Sequence, residues 1–258
     1  MSLAARLRAR ARDAWLARQD LAQLRRRLAR RRGVLGLCYH AMSGELEAYP
    51  YRTSPARFEA HLRLLKELFE IVSVAEAVDI LGRGDAATRD RPLATISFDD
   101  GYRCVWTEAT PVLERQGVPA TLFAPRDLVR QPGPTHLSED ELVALASHPL
   151  WEVGGHGLTH NVLTGFLPED QRREVEGSAL WLEALLGPGP RGFAYPQGQI
   201  SRTAVESTRS HFAYGLSTDR RLSSGFDPYQ VRRFCPTRDH DDLAVFARAL
   251  LGAPMETG

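Results

Sequence analysis

The chain has 258 residues, 43% of them hydrophobic, and a formal net charge of +1 at pH 7. That length supports one α/β domain with a full core and argues against a second catalytic domain. The three cysteines, Cys38, Cys104 and Cys235, are an odd number at no metal-binding spacing, which excludes a disulfide framework or cysteine zinc site and favours a reduced compartment. Cys38 and Cys235 lie in apolar, strand-like runs, read as small buried hydrophobes, and are assigned no chemistry.

The near-neutral charge hides an asymmetry. Residues 1–33 hold eleven arginines against Asp13 and Asp20, a charge of +9 that leaves −8 on the remainder. Leu3, Leu7, Ala14, Leu21, Leu24 and Leu28 recur at helical spacing among the arginines, which predicts a basic amphipathic helix over 1–33. Its apolar content falls short of the ~20 residues that span a bilayer, and it lacks the apolar core and cleavage site of a secretory signal. The expected location is therefore cytoplasmic. Such a helix can pack on the domain, pair with a second copy, or lie peripherally on the anionic inner membrane surface; burial of Leu7, Leu21 and Leu28 distinguishes these. Nothing aromatic or motif-like supports nucleic acid.

From residue 34 onward, strand-like and helix-like segments alternate, which predicts parallel βα units. Strands are expected near 34–39, 71–73, 93–98, 120–123, 151–155, 192–195, 214–216 and 230–234. Ser54-Pro55 predicts a capped helix start ahead of Phe58, His61, Leu62 and Leu65. Further helices are expected over 138–146, 168–186, 201–210 and 241–251, with loops at 41–53, 83–92 and 126–137. The domain is assigned to 34–252. This pattern fits either a barrel or a doubly wound open sheet.

Two segments carry chemistry. Thr95-Ile96-Ser97-Phe98-Asp99-Asp100-Gly101-Tyr102 reads as a buried strand whose tip delivers two carboxylates before a sharp turn. His156 and His160, in Gly155-His156-Gly157-Leu158-Thr159-His160, are spaced i and i+4 and are expected on one side of a helical turn, so that both rings converge on one ion. One carboxylate and two histidines leave an open coordination position. Zinc in such a site polarises a carbonyl and lowers the pKa of water to about 7, which suits amide hydrolysis. A glycosidase is disfavoured, because its carboxyls stand roughly 5–9.5 Å apart across the sugar, and adjacent Asp99 and Asp100 are ill placed to flank one bond.

These segments, with Phe193-Ala194-Tyr195-Pro196-Gln197-Gly198, resemble the first three motifs of the polysaccharide deacetylases, also called NodB-homology domains or carbohydrate esterase family 4. Leu37-Cys38-Tyr39-His40, Val118–Phe123, Trp151–Gly154 and Val231-Arg232-Arg233-Phe234 extend the resemblance over most of 34–250. It implies a distorted (β/α) barrel of the NodB type. It also implies Asp100, His156 and His160 as ligands of a divalent metal, Zn2+ before Co2+, Mn2+ or Ni2+, with Asp99 as catalytic base. The expected activity is metal-dependent removal of an N-acetyl or N-formyl group from an amino sugar of a surface glycan or lipid-linked precursor. The alternative is a glycan-binding or scaffolding protein that keeps the barrel without turnover.

The third motif departs from the common family form. Ala194 stands where many members carry an arginine that pairs with the base, a departure shared by a Phe-Ala-Tyr-Pro subgroup that resembles deacetylases of β-1,6-linked N-acetylglucosamine polymers. Another cation must then hold Asp99. The resemblance implies Arg233, which matches the late arginine of that subgroup; strand alternation puts Val231, Arg233 and Cys235 on one face and Arg232 and Phe234 on the other, and the small apolar neighbours favour the inward face for Arg233. Gln197 replaces a usual aromatic residue, though the backbone N–H that the family uses there for the oxyanion survives any side chain. Tyr102, Tyr195, Pro196 and Gln197 are the candidate sugar-contacting residues. No Leu-x-His triplet supplies the family's general acid, which leaves His240 and His40 as candidates.

Overall fold

The computed structural model describes residues 22–42, 48–188, 192–219 and 226–257. The strands are β1 (Val34–Tyr39), β2 (Glu70–Ile71), β3 (Leu93–Phe98), β4 (Ala120–Ala124), β5 (Trp151–Gly155), β6 (Gly192–Ala194), β7 (Tyr214–Ser217) and β8 (Val231–Phe234). All pair in parallel in the order β1-β8-β7-β6-β5-β4-β3, and β1 pairs again with β3 from Val34↔Leu93 to Tyr39↔Phe98. That second pairing closes a seven-stranded barrel, with β2 attached outside to β3. The apolar runs of β1 and β3 are buried along their whole length because helices cover the outer face while side chains fill the inner one.

Helices α1 (22–28), α2 (Pro55–Leu68), α3 (Val74–Gly82), α4 (Thr110–Gln116), α5 (Arg126–Arg130), α6 (Glu139–Ala146), α7 (Pro168–Leu186), α8 (Arg202–His211) and α9 (Leu243–Gly252) surround the barrel. Pro55 opens α2 as expected, but the Ser54 hydroxyl makes no capping bond. Ser138 and Glu141 form a reciprocal capping box on α6. The stretch 126–137, expected as loop, begins with α5; five residues are too few to show a helical period.

The described end of the basic segment packs on the barrel. Leu24 and Leu28 are buried in the main core cluster, and Arg25 pairs with Glu67 of α2 at 2.9 Å. Arg31 donates to the carbonyls of Leu250 at 2.6 Å and Ala253 at 2.8 Å, at the C-terminal end of α9. Leu7 and Leu21 lie outside the described residues. Beyond α9, Glu256 pairs with Val34 at the barrel's lower edge, so the closed unit runs a few residues past 252. No described helix is long and apolar enough to cross a membrane.

Candidate active site

β3 ends by carrying its ladder one residue further: the Asp99 N–H donates to Tyr39 O at 3.0 Å. Asp100 (φ 72°) and Gly101 (φ 71°) then both take left-handed backbone, which turns the chain sharply and leaves both carboxylates buried at the barrel mouth. His156 similarly extends β5 by donating to Ala124 O at 3.1 Å. The expected helical turn over 156–160 is absent. Gly157 (φ 82°) and His160 (φ 64°) instead fold the segment into a loop that turns the second imidazole back towards the first. Two helices hold that loop. N–H groups of Arg126 and Asp127 at the start of α5 donate to the carbonyls of Gly157 (3.2 Å) and Leu158 (2.9 Å). The buried Glu174 carboxylate of α7 accepts from Leu158 N at 2.8 Å, Thr159 N at 3.0 Å and Thr159 Oγ1 at 2.8 Å.

Asp100, His156 and His160 converge. Asp100 Oδ1 lies 3.5 Å from His156 Nε2 and 2.9 Å from His160 Nε2, and one potential ligand atom from each side chain lies within 4.8 Å of the others. His156 Nδ1 donates to Ala194 O at 2.7 Å, which leaves the Nε2 lone pair facing Asp100. Tyr49 donates to Asp100 Oδ2 at 3.3 Å. Two imidazole nitrogens and a carboxylate, oriented by their outer hydrogen bonds, form a donor set that fits a divalent cation of the zinc type. Among the described residues, the non-glycine positions at positive φ are Asp100, His160 and Gln197, all at this site. Such backbone costs of order 1–3 kcal/mol per residue and concentrates where geometry serves function.

Arg233 is fully interior and forks onto Asp99: Nη1 donates to Oδ1 and Nη2 to Oδ2, each at 2.8 Å, while Nη1 also reaches Ser97 Oγ at 3.0 Å. Burial alone would raise the Asp99 pKa, but Arg233, with His156 and His40, outweighs it and pulls the carboxyl down to about 2. Asp99 is therefore a carboxylate at any neutral pH. Arg232, on the opposite face of β8, pairs with Glu256 at 2.7 Å. Cys38 adds a third donor, with its Sγ 3.2 Å from Asp99 Oδ2.

Asp99, Asp100, His156 and His160 line a cleft of about 500 Å³, inside the range of about 300–1,000 Å³ usual for small-ligand sites. Tyr102 and Gln197 reach its wall. Tyr195 and Pro196 do not line it. The Tyr195 ring is buried against Phe193 and its hydroxyl donates to Tyr229 O at 2.9 Å, so this motif residue braces β6 from behind. His240 is also absent from the lining: its Nδ1 accepts from Thr237 N at 2.8 Å as a helix-capping group, and its carbonyl accepts from His61 at 2.9 Å. The acidic run around it serves the start of α9, where Asp242 caps Ala244 and Val245. His40 is in the cleft, stacked on Tyr51 at 5.0 Å, with a buried Nδ1 that has no partner. Tyr49 and Tyr51 were not anticipated. They sit in a segment with no periodicity, and the one signal was a pair of aromatic rings flanking Pro50 soon after the tip of β1.

A closed parallel barrel brings paired aspartates at one strand tip to two convergent histidines at another, and comparison with known proteins gives its class. The polysaccharide deacetylase family model matches residues 86–214, half of the chain, and the chain belongs to that family. It is similar to YxkH of Bacillus subtilis (strain 168), 25% identical over 190 residues, covering 73% of this chain and 65% of that one, just under two thirds of its length. It is also similar to the poly-beta-1,6-N-acetyl-D-glucosamine N-deacetylase of Staphylococcus epidermidis, 23% identical over 217 residues, 77% of this chain and 72% of that one. Among solved structures, IcaB from Ammonifex degensii superposes with a TM-score of 0.68 at 24% identity, covering 84% of this chain and 98% of that one. Streptococcus pyogenes deacetylase PplD also gives 0.68, at 21% identity, covering 79% and 93%. Both share the fold.

Proposed function

We propose that the protein is a metal-dependent N-deacetylase that removes an acetyl or formyl group from an amino sugar of a surface glycan or of its lipid-linked precursor. The observation that carries this reading is the meeting, in one cleft, of the Asp100–His156–His160 donor set with an Asp99 carboxylate gripped by Arg233. Asp100, His156 and His160 would hold a divalent cation, Zn2+ first, and when bound it would supply carbonyl polarisation and a more acidic water.

The chain's own residues do the rest. Asp99, ionised and locked by the fork, accepts the proton of the attacking water. Arg233 keeps that carboxylate aimed and charged without touching substrate. The backbone N–H of Gln197 faces the developing oxyanion, a role the change of side chain leaves intact. His40 donates the proton to the departing amine. Tyr49, Tyr51 and Tyr102 offer faces and hydroxyls to the pyranose ring, replacing the aromatic residue that Gln197 displaces.

The relation to a poly-beta-1,6-N-acetyl-D-glucosamine N-deacetylase and the Phe-Ala-Tyr-Pro sequence support a β-1,6-linked or similar N-acetylhexosamine substrate. The arginine-rich segment supports work at the cytoplasmic face of an anionic membrane, since each basic residue near such a surface contributes about 1 kcal/mol. The test is a panel of N-acetyl and N-formyl sugars, free and lipid-linked, incubated with zinc-loaded and chelator-treated protein while released acid is measured. Release that needs metal is expected. No release from any member by protein with metal bound would overturn the reading in favour of a binding protein.

A further inference from the structure

Two thiols lie side by side beneath the cleft. Cys38 is on β1 and Cys235 directly follows β8, and these strands pair in parallel with Gly36 opposite Arg233 and Leu37 opposite Phe234. One further step of that register sets Cys38 against Cys235, and side-chain alternation turns both to the inward face that Arg233 shares. Facing residues on neighbouring strands are about 4.7–4.9 Å apart, within the Cα separation of about 4.4–6.8 Å that a disulfide accepts. The neighbouring Cys235 adds to burial in raising the Cys38 thiol pKa. Cys235 is partly exposed in the cleft wall, Cys38 is fully buried behind it, and Cys38 Sγ donates to Asp99 Oδ2 at 3.2 Å.

We propose that Cys38 and Cys235 form a disulfide when the protein meets a peroxide, and that this bridge suppresses hydrolysis by withdrawing the Cys38 hydrogen bond from Asp99. The effect on hydrolysis rests on the reading of Asp99 as the base. The exposed Cys235 sulfur attacks one peroxide oxygen, the O–O bond breaks, and a sulfenic acid and water result. The Cys38 sulfur then attacks the Cys235 sulfur; the S–S bond forms, the S–O bond breaks, and hydroxide leaves as water with the Cys38 proton. Two thiols and one hydrogen peroxide become one disulfide and two waters. A bridged sulfur has no proton to donate, so Asp99 loses its third donor. A dithiol reverses the change.

The full-length protein is treated with hydrogen peroxide, alkylated and digested without reductant, and its peptides are weighed. A Cys38–Cys235 cross-linked peptide two hydrogens lighter than its thiol parts is expected, with Cys104 still alkylated. Release of acid should fall about tenfold or more, as loss of a hydrogen bond to a charged group implies, and return with dithiothreitol. In Cys235→Ser, peroxide should leave turnover at that variant's own untreated level. Bridging to Cys104, free Cys38 after treatment, or a complete Cys38–Cys235 bridge with undiminished turnover would each overturn the proposal. A bridge formed in a protein whose reduced, metal-loaded form releases no acid would refute the hydrolase reading and leave the bridge standing; an active reduced enzyme that forms no bridge would refute the bridge alone.

Discussion

Asp99 and Asp100 are chemically identical neighbours that their surroundings drive into different roles. Asp100 faces two imidazoles, whereas Asp99 faces a guanidinium. Asp99→Asn should lower kcat by about 10²–10⁴-fold with metal affinity nearly intact, and Asp100→Asn should weaken metal binding; equal metal loss in both, by calorimetry, would show the roles to be misassigned. Arg233→Lys keeps the charge but loses the fork, so turnover should drop about ten- to a hundredfold. Arg232→Lys should leave turnover unchanged and cost only stability through Glu256. The sign of the pH effect follows from the depressed Asp99 pKa. The native carboxyl titrates near 2, against about 3.9 unfolded, so its contribution to stability is complete above about pH 4 and is lost as pH falls through 2. Urea titrations at pH 5 and pH 2.5 should show a smaller loss for Asp99→Asn than for the wild type.

At the scale of elements, the ligand geometry depends on parts that hold no metal. The 156–160 loop is suspended between the first turn of α5 and the carboxylate of Glu174 on α7. Glu174→Gln replaces an acceptor oxygen by a donor NH2 facing N–H groups, so metal affinity should fall about 10- to 100-fold, as for other supports of ligand groups. Loss of affinity with an unchanged melting temperature of the metal-free protein would identify positioning rather than folding as the cause. Gly154 in β5 has a different duty. A Cβ there would lie 2.5 Å from the Phe123 ring and 2.6 Å from Gly192 O, so the barrel wall would have to open. Gly154→Ala should cost about 1–3 kcal/mol in denaturant unfolding.

At the scale of the molecule, the barrel is closed twice, by the β1–β3 pairing and by terminal segments crossing its lower edge. Leu28 has no exposure, and Arg31 caps α9 through two carbonyls. Leu28→Ala should therefore destabilise the whole domain by about 2–5 kcal/mol, measured by urea titration. A change confined to the first helix, with the barrel's transition unmoved, would show that segment to be an independent appendage.

Strand positions 34–39 and 93–98 were legible from the sequence because a buried parallel strand is a short, largely apolar run, and the helix over 168–186 because its length shows a period. The side of β8 that Arg233 takes followed from the two-residue repeat of a strand. The fold around 156–160 was not legible: i and i+4 spacing suits a helix, and only the glycine at Gly157, the left-handed His160 and distant Glu174 make it a loop. His240, Tyr195 and Pro196 stood at plausible distances along the chain, yet their burial and partners are set by elements far away in sequence. The same holds for Tyr49, Tyr51 and the Cys38–Cys235 pair. Local patterns determined which residues form strands and which face each strand presents, because those follow from near-neighbour sterics and solvent. Which side chains share one cleft was decided by barrel closure, since only that brings the tips of β1, β3, β5 and β8 to a common point.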